Sequence, residues 1–392
     1  GATIFDDPAR LASPLHLWRA LVGWFGGGLM WVAAAAILAP LNLGGFEVTA
    51  SAEPGQGGLE YDVFDPEDAS RRLARTTLQL FPIYAGLTIV LWLLLQILGD
   101  APIVAVSHAM ATLATSGISP VGGVPGTTSG VSGEMVIFPF LLFALSRLTF
   151  SCDTLTTARE SILRDPEFRI GIILVLGVPA LLFVRHWVAS FDVASHESIS
   201  NAFRALWGGM FTVLSFLSTT GFESADWADT RNWSGLGTPG LILMALAMIG
   251  GGVATTAGGV KLLRVFALYL HGLREMHKLV HPSSVGRSSS QSRRIRRKGA
   301  YIAWIFFMLF AISLAGVVLV LAALGSTFEQ AMVLGIAGLS TTGPLVKSAL
   351  DVPINLVELG AAAKLVFCAT MVLGRLETLA IIALFNPELW RR

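Results

Sequence analysis

Three times along this chain a long apolar run is followed by a short one, and then by small hydroxyl residues ending in glycine. The clearest copies are Ser218-Thr219-Thr220-Gly221-Phe222 and Ser340-Thr341-Thr342-Gly343-Pro344, with a looser one at Ala114-Thr115-Ser116-Gly117-Ile118. A remnant stands at Gly1-Ala2-Thr3. Few folds tolerate this order. An apolar run of about 20 residues crosses a bilayer, whereas one of about 10–14 is too short and must turn back. Non-helical backbone at membrane depth survives only where protein buries it or water lines it. The pattern predicts an all-α polytopic membrane protein, with fused helix–pore-loop–helix repeats around a pseudo-fourfold central pore.

Composition agrees: 54% of residues are hydrophobic and 14% charged, far less charge than a soluble domain carries. A net charge of +1 gives no field that would gather nucleic acid. Cys152 and Cys368 fit no metal spacing and read as small apolar fillers. No HExxH, nucleophile elbow or intramembrane cluster of His and Asp points to an enzyme. His108, His186 and His196 are scattered. Gly235-Leu236-Gly237-Thr238-Pro239-Gly240 spells a dinucleotide pattern, but it lacks a preceding strand and carries a Pro.

The apolar runs divide the chain into four units. Residues 1–75 are the remainder of a first repeat, with an inner helix and a cytoplasmic loop; 76–167 form the second repeat. Residues 168–299 form the third, with a Gly-rich interruption and a basic loop, and 300–392 the fourth. The chain begins with Gly inside a filter-like remnant, so a further N-terminal piece is expected to precede it. Lys and Arg set the orientation. Arg71, Arg72, Arg75, Arg147, Arg159, Arg164, Arg169, Arg274, Lys278, the 287–298 cluster, Arg391 and Arg392 fall on one side, the expected cytoplasmic side, with the C-terminus. All hydroxyl–Gly stretches then open outward.

Stripping a potassium ion of water costs of order tens of kcal/mol unless oxygens replace the shell. Backbone carbonyls do so without full charge, so the ion can leave again. Glycine lets several strands approach one axis, and Thr and Ser hydroxyls add an inner oxygen layer. The expected potassium-binding filter is therefore Gly1, Thr115, Ser116, Gly117, Thr219, Thr220, Gly221, Thr341, Thr342 and Gly343. Potassium is the metal held there and the transported ion; no organic cofactor is expected. A single S-T-T-G would be only a turn or cap.

With these stretches in place the chain resembles the membrane subunit of the Trk/Ktr/HKT superfamily of potassium transporters, most nearly its Trk-type bacterial branch. Further likeness lies in Leu17-Trp18-Arg19 with Trp24-Phe25-Gly26-Gly27-Gly28, in Gly250 to Lys261, and in Leu373-Gly374-Arg375-Leu376-Glu377 with Phe385-Asn386-Pro387 and Trp390. The resemblance implies gated potassium uptake across the cell inner membrane, one key Gly per filter strand and a homodimer with one pore per subunit. It also implies a cytosolic nucleotide-binding regulatory subunit of the TrkA type. Some plant relatives that pass sodium carry Ser at the first filter Gly, so Gly1 favours potassium.

Gly250, Gly251, Gly252, Thr255, Thr256, Gly258, Gly259 and Lys261 cannot continue a regular helix. The resemblance implies an intramembrane gate below the filter; close helix packing through small residues is the alternative. Arg375 lies in an apolar run, where a charge costs at least about 2.5–3.5 kcal/mol. It is read as controlling conduction at the gate, or as a structural pair with Glu377. Glu223, Asp226 and Asp6 concentrate cations at the mouth or simply sit in solvated loops. The basic segment from Arg287 to Lys298 touches anionic membrane lipid or the regulatory subunit. The competing functional class is an ion-coupled secondary transporter of another small solute, or a sodium-permeable relative.

Overall fold

A computed structural model describes residues 2–3, 8–38, 66–146, 165–190, 199–234, 239–281, 297–350 and 352–376. Gly1, Asp6, Cys152, Glu377, the 235–238 segment and the basic cluster at 287–296 lie outside them. The described residues are helical, with no strand among them.

The helices are α1 (Ser13–Ala33), α2 (Pro66–Ile97), α3 (Pro102–Leu113), α4 (Gly130–Leu142), α5 (Pro166–Ser190), α6 (Ile199–Leu217) and α7 (Trp227–Ser234). They continue with α8 (Gly240–Ile249), α9 (Leu262–Val280), α10 (Arg297–Ala323), α11 (Phe328–Leu339), α12 (Leu345–Ser348) and α13 (Ala361–Leu376). Four stretches, Ser13–Ala36, Arg71–Ile97, Pro166–Arg185 and Gly299–Ala323, are long and apolar enough to cross a membrane. In their most apolar windows 44% of the first is buried inside the protein, against 28%, 28% and 17% of the others. That separates an inner helix, α1, from three outer ones.

The short helices have clear starts. Pro102 opens α3, where a missing N–H costs nothing. Thr327 caps α11 in a box with Gln330, each side chain meeting the other's backbone N–H at 3.3 Å. The start of α4 is held by Asp100, which accepts from Ser129 N and Ser129 Oγ, each at 2.9 Å.

One packing rule repeats. Each short helix (α3, α6, α11) rests on its own unit's outer helix (α2, α5, α10) and on its own inner helix (α4, α8, α13). Each also rests on the preceding unit's inner helix: α3 on α1, α6 on α4, α11 on α8. The described units therefore follow one another in one direction, each seated on the one before. Trp24 on α1 shows how the seams close. Its ring stacks on Tyr84, its Nε1 donates to Thr88 Oγ1 at 3.0 Å, and its carbonyl accepts from Tyr84 Oη at 3.0 Å.

The third inner helix is interrupted, as its glycines predict. After α8 the chain leaves the helical path at Gly250 and returns at Lys261. The neck is closed by Val260 N donating to Met248 O and Lys261 N to Ile249 O, both at 2.9 Å. At the neck Gly250 and Gly259 both have positive φ, and a Cβ on Gly250 would lie 2.1 Å from Gly258 O. Only glycine permits that approach.

Candidate functional site

Helices α3, α6 and α11 each end in the same way. The residue after the helix caps it, and the next, Thr115, Thr219 or Thr341, has positive φ of 47°, 60° or 58°. Its N–H bonds back to the carbonyl of Thr112, Phe216 or Gly338. In the first and third cases the following N–H, of Ser116 or Thr342, reaches Ala111 or Ala337 five residues back. This is a Schellman ending with a β-branched residue where glycine is usual. A left-handed L-residue costs about 1–2 kcal/mol, and strain of this kind gathers at functional sites. The expectation assigned backbone freedom to the glycines. Gly117 and Gly221 do have positive φ, but Gly343 is not among the positive-φ residues, and the threonines share the burden.

Beyond these turns the strands converge. A Cβ on Gly117 would lie 2.1 Å from Thr220 O and 2.7 Å from Pro344 Cγ. One on Gly221 would lie 3.0 Å from Pro344. The three copies thus meet at Gly117, Gly221 and the Gly343-Pro344 step. Ala2 and Thr3 of the remnant line a cavity of about 390 Å³ together with Gly117, Gly343, Arg19 and Lys347. Gly1 itself lies outside the described residues.

The second hydroxyls are not free to face an ion. Thr220 Oγ1 bonds Ser218 Oγ at 3.1 Å, and Thr342 Oγ1 accepts from Ser340 Oγ at 3.0 Å. Ser116 packs towards α1, 3.3 Å from where a Cβ on Gly23 would stand. The first hydroxyls, of Thr115 and Thr219, bond to the 250–261 loop instead. Thr341 Oγ1 is buried and has no hydrogen-bond partner.

The 250–261 loop sits directly against these threonines. Gly258 N donates to Thr219 Oγ1 at 2.8 Å. Thr115 Oγ1 donates to Thr256 Oγ1 at 3.2 Å, and Thr256 Oγ1 to Leu113 O at 3.0 Å. A Cβ on Gly258 would lie 2.1 Å from Ser340 O and 2.5 Å from Thr341 Oγ1. One loop therefore touches all three described strands at their threonine ends, opposite the 390 Å³ cavity. A cavity of about 20 Å³ remains beside Ala254, Thr255, Gly258, Lys261 and Arg375, room for about one water.

Every predicted loop residue has a place. Gly251 and Gly252 pass the end of α4, where Gly252 N donates to Ala144 O at 2.9 Å. Thr255 Oγ1 donates to Gly252 O at 2.7 Å, an internal turn. Lys261 is buried and donates from Nζ to Ala257 O. Arg375 on α13 donates from Nη1 to Thr256 O at 2.8 Å. Of the mouth acids, Asp226 is 2% exposed and paired with Arg204 at 2.6 Å, so it is no solvated loop charge.

Two carboxylates escaped sequence reasoning. Glu167 at the start of α5 is buried and accepts from Val253 N at 3.2 Å, anchoring the loop. Glu134, in the second turn of α4, is fully buried against the third strand's exit. In both cases a signal was present: an acid near the start of an apolar helix.

Residues 134–392 match the family described as TrkH, cation transport protein. Over 392 residues the chain is 30% identical to the Trk system potassium uptake protein TrkH of Escherichia coli (strain K12), covering 100% of this chain and 77% of that protein. It is 29% identical over 394 residues to the TrkH of Vibrio parahaemolyticus, with the same coverage. The crystal structure of the potassium transporter TrkH from Vibrio parahaemolyticus superposes with a TM-score of 0.76 at 26% identity, over 100% of this chain and 76% of that one.

Proposed function

The chain belongs to the TrkH family of cation transport proteins, a potassium uptake protein of the membrane and not an enzyme, and we propose that the ion crosses through the hydroxyl–Gly strands. What carries this reading is the meeting of Gly117, Gly221 and Gly343-Pro344 around one centre, with three helix ends behind them.

The ion enters from the 390 Å³ cavity. Carbonyls of Thr115 to Gly117, Thr219 to Gly221 and Thr341 to Gly343 take the place of its water, with Gly1 completing the ring. Helices α3, α6 and α11 aim their negative C-terminal ends at the strands, which favours a cation. The first threonine hydroxyls add the inner oxygen layer. Neutral ligands hold the ion without trapping it.

Gly250 to Lys261 is the gate, lodged against the inner layer and held shut by Arg375. The Arg375 and Lys261 cations also repel an ion at that level. Transport requires the loop to leave the threonines. The strands open outward and the C-terminus lies in the cytoplasm of a cell whose inner membrane holds the protein, an orientation supported by the Lys and Arg distribution. The repeat boundaries 1–75, 76–167, 168–299 and 300–392 belong to the same reading, as do a homodimer and a cytosolic nucleotide-binding subunit of the TrkA type. The one-directional succession of units favours this over a solute transporter with inverted halves.

The test is rubidium uptake, with the gene expressed in cells deficient in potassium uptake. The intact chain restores uptake and Gly221→Asp abolishes it. Equal uptake by both forms sinks the proposal.

A further inference from the structure

We propose that Glu134 is a positioning residue of the third filter strand, and that its ionised carboxylate fixes how well the pore distinguishes potassium from sodium. This rests on the filter reading above. Glu134 is fully buried, yet its carboxylate touches no part of the proposed ion path. Oε2 accepts from Trp207 Nε1 at 3.0 Å and from Ser224 Oγ at 2.7 Å. Oε1 accepts from Ala225 N at 2.5 Å. Trp207 belongs to α6, whose C-terminus delivers the strand; Ser224 and Ala225 follow Gly221 by three and four residues. One side chain on the second unit's inner helix thus ties the middle of α6 to the exit of the third unit's strand.

Neighbouring bonds complete the clamp. Phe222 N donates to Ser215 Oγ at 2.6 Å, Ser224 N to Thr212 Oγ1 at 3.2 Å and Asp226 N to Ser224 Oγ at 3.1 Å. The second strand's exit is held differently, by His108 Nε2 and Ser119 Oγ at 2.8 Å. Among the described residues, only the third exit is held by a buried carboxylate. Burying a charge is costly unless it is fully hydrogen-bonded, and here three donors converge on it.

The donor set favours the ionised form. Three donors meet two oxygens, and a carboxylate accepts from all three with no proton of its own to place. A glutamine of the same shape turns an NH₂ towards one side and sets donor against donor. The strand exit then slackens. Carbonyls held at a spacing suited to potassium discriminate against the smaller ion; carbonyls free to close in do not.

The experiment compares rubidium and sodium uptake into proteoliposomes holding the full chain. Glu134→Gln is expected to lower the rubidium-to-sodium ratio about tenfold, the scale set by one buried donor left facing another. Adding Trp207→Phe to Glu134→Gln removes the opposed N–H. The Gln amide then faces Ser224, whose hydroxyl can turn to accept, and most of the ratio returns. A wild-type ratio in Glu134→Gln, or no recovery in the double variant, overturns the proposal. Should Glu134→Gln fail to fold, Ser224→Ala keeps the carboxylate, loses one tether and must shift the ratio in the same direction; an unchanged ratio overturns the proposal equally. Gly221→Asp separates the two readings. If it conducts rubidium as the wild type does, the filter assignment fails whatever Glu134 does.

Discussion

The guanidinium of Arg375 reaches across 119 residues of sequence to the carbonyl of Thr256, 2.8 Å away. Thr256 in turn accepts from Thr115 at 3.2 Å. A half-buried cation is thereby connected through two contacts to the turn that begins a proposed filter strand. Arg375→Ala removes a charged hydrogen bond worth about 1.5–3 kcal/mol and takes a positive charge from the ion path. Rubidium flux into proteoliposomes should rise about tenfold or more. Unchanged flux would show that Arg375 has no part in holding the loop.

Two glycines should respond in opposite directions. A methyl on Gly117 meets Thr220 O at 2.1 Å in the middle of the converging strands, so Gly117→Ala should abolish flux. A methyl on Gly258 meets Ser340 O at the same distance, but from the loop side. The loop is the part that can move, so Gly258→Ala should push it away and raise flux. Rubidium uptake by the two variants side by side checks the pair; a loss in both would mean that the loop does not gate.

Thr341 should separate stability from function. Its left-handed backbone is strained, and its hydroxyl is buried without a partner. Thr341→Gly relieves about 1 kcal/mol of strain and removes a proposed ion ligand. The melting temperature in detergent should stay level or rise, while the rubidium KM should increase several-fold. A lowered melting temperature with an unchanged KM would contradict both halves.

The ion itself should stabilise the fold. Anything that binds only the folded state adds stability, about 2.7 kcal/mol at a hundred times Kd. Replacing potassium with a bulky organic cation should lower the melting temperature of the wild type and leave Gly221→Asp unaffected. An equal response in the two proteins would remove the strands as the binding site.

Much of this was readable in the chain before any coordinates. Segments followed by Thr and Gly predicted where α3, α6 and α11 stop; length alone forbids α3 and α11, of 12 residues each, to span, and in α6 the hydroxyl–Gly stretch carried the prediction. The glycines from Gly250 to Gly259 foretold the break between α8 and α9, because no helix tolerates so many. Partners were harder to read. Nothing in the sequence says that Thr220 spends its hydroxyl on Ser218, or that Gly258 comes to rest on Thr219, since both follow from how separate units meet. Glu134 is hard to single out because it stands where a Gly/Ser/Thr-rich stretch meets an apolar run. For Asp226 the sequence left a cation-gathering mouth and a solvated loop open, and its partner Arg204, 22 residues earlier, was legible in neither.

The rule that each short helix lies against the previous unit's inner helix bears on how the protein is made. Synthesis runs from the N-terminus, so α3 emerges after α1, α6 after α4 and α11 after α8. Each finds its seat already inserted in the bilayer, and assembly proceeds by additions to a growing edge. Pulse-labelled intermediates should therefore become protease-resistant stepwise, in register with translation.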